Sequence, residues 1–171
     1  MSSVTKLLGL IVVVGASLLC SGQEVQVSPV KGGVRLSVSA QHSYQLMPGD
    51  TKLPVLSVEC LHKGKHGSHL LIFSAGGMVG DNSDPGKTEQ SFVLTVNGKK
   101  QVSTWATYGQ PDTFVQFGKT EPERAQFLQS LLGFTVTFEF KPFLTGTPAT
   151  ATFDLSQLRE AMNKQSECSG E

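Results

Sequence analysis

Three histidines, His62, His66 and His69, stand at the spacing His-x3-His-x2-His. Converging neutral imidazoles bind zinc or copper, usually with a carboxylate and with further groups that orient each ring. Here Lys63, Gly64, Lys65 and Gly67 interleave with them. The two ammonium groups repel a cation, and the composition is that of a solvated turn between two strands. A turn is expected, and no metal ligand is assigned. Asp81-Asn82-Ser83-Asp84 resembles the opening of a calcium loop, whose oxygen ligands alternate along the chain. Pro85 stands where the third ligand is needed, and no Glu follows at the closing position of such a loop. The four residues read as a turn, with Asp81 and Asp84 kept as candidate binding residues. Gly76-Gly77 and Gly80 have the look of a phosphate loop but lack the Gly-Lys-Ser/Thr that completes one, so they read as conformational.

Serine catalysis needs a Ser with a His and an acid, and no Gly-x-Ser-x-Gly elbow is present. Glu121, Glu123, Glu139 and Asp154 are the carboxylates available for acid–base work. Glu121 and Glu123 are accounted for by a helix start, and Asp154 by a cap. The expectation is a chain that is not an enzyme, with no catalytic residue and no cofactor. Trp105 and Tyr108 lie near a strand end and read first as core packing, with a binding surface as the alternative for which they are kept as candidates.

Cys20, Cys60 and Cys168 are the cysteines. Lys6 precedes an apolar run from Leu7 to Val14, and small residues follow. That is the form of a secretory signal peptide over residues 1–22, and the run is short for a membrane span. Cleavage is expected after Gly22, leaving Gln23 first in the mature chain. An uncleaved N-terminal anchor and a lipid on Cys20 are the competing readings, although Leu19 stands where a lipoprotein signal carries a small residue. With Cys20 removed, Cys60 and Cys168 make an even count for an oxidising compartment. They read as a disulfide whose loop closure contributes about 4–5 kcal/mol. A catalytic thiol is the alternative, and it would want a nearby base.

These residues must be held by the rest of the chain. Residues 23–33, with Pro29, Gly32 and Gly33, read as a loose lead-in. Val34, Leu36 and Val38 alternate with Arg35, Ser37 and Ser39, the mark of a half-buried strand. Leu56, Val58 and Cys60 alternate with Ser57 and Glu59 in a second strand, and Leu70 to Phe73 is a continuous apolar run. Residues 76–90 form a long polar loop. Phe92, Leu94 and Val96 lead to Asn97-Gly98, a dipeptide that tolerates the positive φ of a tight hairpin turn. Val102, Thr104 and Ala106 continue the alternation, with Trp105 on the opposite face. Phe114, Val115 and Phe117 mark a short strand.

Thr120 and Glu123 form the two ends of a capping box, Leu128, Leu131 and Leu132 share a helical face, and Gly133 stops the helix. Phe134, Val136, Phe138 and Phe140 alternate with polar residues, as do Ala149, Ala151 and Phe153. Asp154 is placed to cap a last helix carrying Leu155, Leu158, Ala161 and Met162. The chain reads as mainly β: an antiparallel β-sandwich or curved sheet with two short helices near the C-terminus. Its expected division is 1–22 signal peptide, 23–52 N-terminal lead-in and first strand, and 53–171 a β-rich domain closed by the disulfide.

In the 171 residues, charged side chains are 16%, below the roughly 25% of ordinary globular chains. Fourteen Lys and Arg balance fourteen Asp and Glu, which excludes a generally basic nucleic-acid binder and an acidic disordered tail. Hydrophobic residues at 39%, ten of them Phe, suffice for a core.

Val58-Glu59-Cys60, Leu70-Leu71-Ile72-Phe73, the stretch from Phe92 to Trp105, the Glu123–Leu132 helix and Phe140-Lys141-Pro142-Phe143 recur in one order. They end in ATATFDLSQLREAM and a closing Cys168. Over roughly residues 55–168 this pattern resembles the type VI secretion system-associated TagO/VasI family of exported proteins. The resemblance implies a periplasmic or envelope domain with one disulfide, accessory to a secretion machine and without known catalysis. The expected function is an exported, non-enzymatic interaction domain of the cell envelope, periplasmic or secreted. It would have an envelope protein as partner, no nucleic acid, and no stable membrane insertion after signal cleavage. The alternative is a secreted metal- or small-ligand-binding β-sandwich module using the His62–His69 turn and the 76–90 loop.

Overall fold

A computed structural model describes residues 23–62, 68–80, 88–116, 120–145 and 147–169. The strands are β1 (Gln26–Val30), β2 (Gly33–Ser39), β3 (Tyr44–Met47), β4 (Asp50–Lys52), β5 (Val55–Leu61), β6 (Ser68–Ser74), β7 (Glu89–Val96), β8 (Lys99–Tyr108), β9 (Gln110–Gln116), β10 (Thr135–Phe140) and β11 (Ala149–Asp154). The helices are α1 (Glu121–Leu131), α2 (Leu158–Asn163) and α3 (Ser166–Ser169). Nine strands form one antiparallel sheet in the order β1-β2-β5-β6-β9-β8-β7-β10-β11, and β3 pairs with β4 in a separate hairpin. Among the described residues no helix is long and apolar enough to cross a membrane.

Alternation gives each strand one apolar face, and the sheet curves until those faces meet. Phe73 of β6 stacks on Phe138 of β10 at 4.6 Å although the two strands are not neighbours. Phe92, Trp105, Phe114 and Phe153 complete the aromatic core, mostly edge to face, the geometry the ring quadrupoles favour. The curvature brings the two ends of the sheet together. The Gln41 N–H donates to the Thr152 carbonyl at 2.8 Å. The Gln23 side chain spans the same seam: its Oε1 accepts from the Asp154 N–H at 2.6 Å, and its Nε2 donates to the Ser39 carbonyl.

The capping box opens α1 as expected, with Thr120 accepting from the Glu123 N–H and the Glu123 carboxylate accepting from the Thr120 N–H. Leu128 and Leu131 are buried, and Phe127 meets Trp105 edge-on at 6.4 Å. Gly133 takes φ +90°, which a residue with a Cβ rarely adopts. At the other end of the chain, Cys60 of β5 is disulfide-bonded to Cys168 of α3 across 108 residues, with Cα atoms 4.9 Å apart.

Several expectations change. The stretch read as a lead-in contains β1, paired along its length with β2. Through β1 and β2, residues 26–39 belong to the nine-stranded sheet, while β3 and β4 form the separate hairpin. In β8 the buried face belongs to Ser103 and Trp105, not to Val102 and Thr104. The two-residue Asn97-Gly98 turn sets Val96 against Lys99, so even positions of β7 face odd positions of β8 and Phe92 meets Ser103. Phe134 lies before β10 and is exposed. Asp154 accepts from the Ser156 N–H at 2.9 Å in a turn, while α2 begins later, after Gln157. The last helical segment is two helices, turned so that Cys168 reaches Cys60. Within the 76–90 loop, Val79 bridges to Pro142 and the Gly80 N–H donates to Lys141, while Glu89 and Gln90 already belong to β7. Residues 1–22, Phe117, His66, Asp81 and Asp84 lie outside the described residues.

Candidate functional site: a hydroxyl-lined depression on the outer sheet face

Residues directly opposite in paired strands share a face. The register therefore sets three rows across the side of the sheet away from the aromatic core. One row runs Arg35–Glu59–Leu70, the next Ser37–Ser57–Ile72–Val115, and the third Val55–Ser74–Thr113. The middle of this face carries short hydroxyl side chains where an exposed sheet commonly presents long charged ones. The result is a depression of about 400 Å³, within the size range of small-ligand sites. Ile72 and Val55 give it an apolar floor, and Arg35 stands at one rim. Tyr108 and Gln110 form the other. They face each other at the tip of the β8–β9 hairpin, where the register shifts after Thr107 and Gly109 takes φ +73°.

The polar groups are tied together. Ser37 Oγ and Ser57 Oγ are 2.9 Å apart. Thr113 Oγ1 lies 3.5 Å from Ser74 Oγ and 3.1 Å from Asp112 Oδ1. Arg35 Nε donates to Glu59 Oε1 at 2.8 Å, and Nη2 donates to the same oxygen. Glu59 is only 5% exposed, so its carboxylate is compensated by this guanidinium, whose side chain stays 42% exposed. Burying a carboxylate without its partner is strongly unfavourable. Among the described lining residues there is no imidazole, and the Thr113 hydroxyl has the Asp112 carboxylate beside it. The arrangement suits reversible binding through hydrogen bonds.

Of the residues singled out in the sequence, Tyr108 lines this depression and is 39% exposed. Trp105 does not: it is fully buried against Phe92, Phe138 and Phe127, with its indole N–H donating to Ser103 Oγ at 3.0 Å. The histidines divide. His69 is not in a turn but in β6, opposite Cys60, where its Nε2 lies 3.1 Å from the Cys168 carbonyl oxygen. His62 is exposed near α3, where it helps hold the Glu167 carboxyl below the usual carboxylate range, after the larger effects of the Glu167 backbone N–H and the Ser166 hydroxyl. Among the described residues no group of three His, Cys, Asp or Glu side chains is placed for a metal ion. Of the carboxylates weighed for catalysis, Glu123 is in the capping box, Glu139 pairs with Lys100 at 2.6 Å, Asp154 is in its turn, and Glu121 stands in the first turn of α1.

Arg35, Ser37, Ser57, Glu59 and Thr113 were not marked by sequence. Their one signal is polarity on the far side of otherwise apolar strands, which fits any solvated sheet face. Compared with family models, with curated proteins and with solved structures, the chain finds no significant match.

Proposed function

We propose that this chain is an exported, non-enzymatic domain of the cell envelope that recognises a partner or small ligand through the outer face of its sheet. Its role would be that of a type VI secretion accessory of the TagO/VasI kind. The observation that carries the reading is the Cys60–Cys168 bridge, which joins the last helix to the middle of the sheet. Disulfides of this structural kind persist in oxidising compartments, and the signal-like residues 1–22 supply a route there. The depression between Arg35 and Tyr108 supplies a recognition surface lined by hydroxyl groups. The test is fractionation of a bacterium expressing the whole chain, with intact-mass measurement. Periplasmic or secreted protein that starts at Gln23 and has no free thiol supports the proposal. Cytoplasmic protein with both thiols free overturns it. Crosslinked pull-down from envelope extract, compared with a strain lacking the secretion machine, then tests the accessory role.

A further inference from the structure

We infer that the depression on the outer sheet face is a binding site for a neutral saccharide, with Tyr108 as its stacking platform and the serine and threonine hydroxyls as its hydrogen-bonding floor. The inference deepens the proposed recognition role and rests on the depression being the surface that is used.

Charge comes first. Among the described residues lining the site Arg35 is the one cationic side chain, and Glu59 neutralises it. An anionic ligand would have to compete with a buried carboxylate for that guanidinium, and the carboxylates bonded to the lining side chains, Glu59 and Asp112, already accept from Arg35 and Thr113. Hydrogen-bond polarity comes next. Ser37 and Ser57 satisfy one another, leaving one donor and several lone pairs to share with a ligand. Thr113 directs its one O–H to Asp112 Oδ1 at 3.1 Å and lies 3.5 Å from Ser74 Oγ, so its lone pairs are left to accept from Ser74 or from a ligand. The Gln110 amide at the rim adds a further donor group and acceptor. Such a lining both gives and takes hydrogen bonds, as vicinal sugar hydroxyls do. An extended peptide is less well matched. It would recruit unpaired backbone groups at a sheet edge, whereas this site lies on a face of strands paired on both sides. Finally, the exposed Tyr108 ring offers apolar surface for the C–H face of a pyranose.

The experiment uses the oxidised mature chain and amide chemical shifts. Three probes are titrated to millimolar concentration: a chitopentaose, a cellopentaose and an oligogalacturonate. The neutral pentamers should shift the signals of residues 35, 37, 57, 74, 108 and 113, with the acidic oligomer at least tenfold weaker. A response to chitopentaose alone identifies an N-acetylated cell-wall glycan as the source; a response to cellopentaose identifies an unacetylated glucan. Tyr108→Ala, at an exposed position, should weaken binding at least tenfold, and Val102→Ser, exposed elsewhere on the sheet, should leave it unchanged. No shift with either neutral probe, stronger binding of the acidic oligomer, or unchanged affinity of Tyr108→Ala would overturn the inference. None of these results bears on export or the bridge. Conversely, saccharide binding by a protein found in the cytoplasm would leave this inference standing and sink the envelope reading.

Discussion

Phe138 packs against more of the aromatic core than any local pattern in β10 reveals. Its ring stacks on Phe73 and meets Phe92, Trp105 and Phe153 edge-on. Truncation to Ala leaves a cavity that four rigid rings cannot close, so Phe138→Ala should lose about 3–5 kcal/mol. Thr137, one residue earlier, points outward and shares a 3.0 Å hydroxyl contact with Thr152; Thr137→Ala should lose about 1 kcal/mol or less. Urea unfolding of the two variants decides the matter, and equal midpoints would mean that the ring is not enclosed. Tyr44 presents the opposite case. Its hydroxyl is buried with no hydrogen-bond partner among the described residues, and its pKa is pushed up to about 12, first by burial and then by Asp112 and Asp50. A raised pKa in the folded state favours folding fully below the unfolded value of 10.0 and is lost as pH rises through about 12. Wild type should therefore lose stability between those two values, and Tyr44→Phe should lose less. At neutral pH the variant should be equal to wild type or up to about 1 kcal/mol more stable, because an unbonded buried hydroxyl is removed. Parallel alkaline melting curves for the two proteins would count against this account.

At the scale of elements, the β7–β8 hairpin shows how a turn decides which face is buried. Asn97 and Gly98 hold φ of 48° and 75°, and the register that follows sends Trp105 inward and leaves Val102 72% exposed. Val102→Lys should change stability by no more than about 0.5 kcal/mol, whereas Trp105→Ala should cost about 3–5 kcal/mol. Thermal melting of the two variants checks it: a severe loss from Val102→Lys would require a one-residue slip of the whole hairpin. At the sheet edge, β1 is short and carries Pro29. Val30 and Gly33 flank a two-residue turn, so the next pair, Pro29 and Val34, is the kind that exchanges no hydrogen bonds. Pro29 therefore removes a donor from the open side of β1, a device that discourages edge-to-edge pairing.

For the molecule as a whole, the bridge acts on a sheet whose strand order departs widely from chain order. Joining Cys60 to Cys168 restricts the unfolded chain over 108 residues. Loop closure of that length contributes about 4–5 kcal/mol, a large share of the 5–15 kcal/mol total of an ordinary domain. Cys60→Ser with Cys168→Ser should lower unfolding free energy by about that amount, and reductant should do the same to the wild type. Peptide mapping without reduction should find the two cysteines linked; a linked pair with unchanged stability on reduction would show that the unfolded chain is already constrained. The His69 contact with the Cys168 carbonyl and the α3 packing on β5 and β2 are then the noncovalent remainder holding the C-terminus.

Local physics made part of this molecule readable in advance. The period of two in Leu36–Val38, Leu56–Cys60 and Val136–Phe140 dictates strands with one buried face, because successive side chains point to opposite sides. Thr120 and Glu123 spell out the start of α1, and Asn97-Gly98 spells out the hairpin, through hydrogen bonds and dihedral angles set within a few residues. The Cys60–Cys168 pairing was expected from parity, once Cys20 is set aside with residues 1–22. The face of Trp105 within β8 was misread from the alternation of Val102, Thr104 and Ala106, although the two-residue turn alone decides that parity. The candidate site was not. Arg35 meets Glu59, and Ser74 meets Thr113, only because β2 lies beside β5 and β6 beside β9. No tight turn joins either pair, so their register depends on how the whole sheet curves to enclose its aromatic rings. Tyr108 was singled out together with Trp105, and only the hairpin tip placed Tyr108 over that face while Trp105 turned into the core. Polar residues on an outward sheet face carry no mark of their neighbours in the sequence, and only the tertiary packing of distant strands gathers them into a depression.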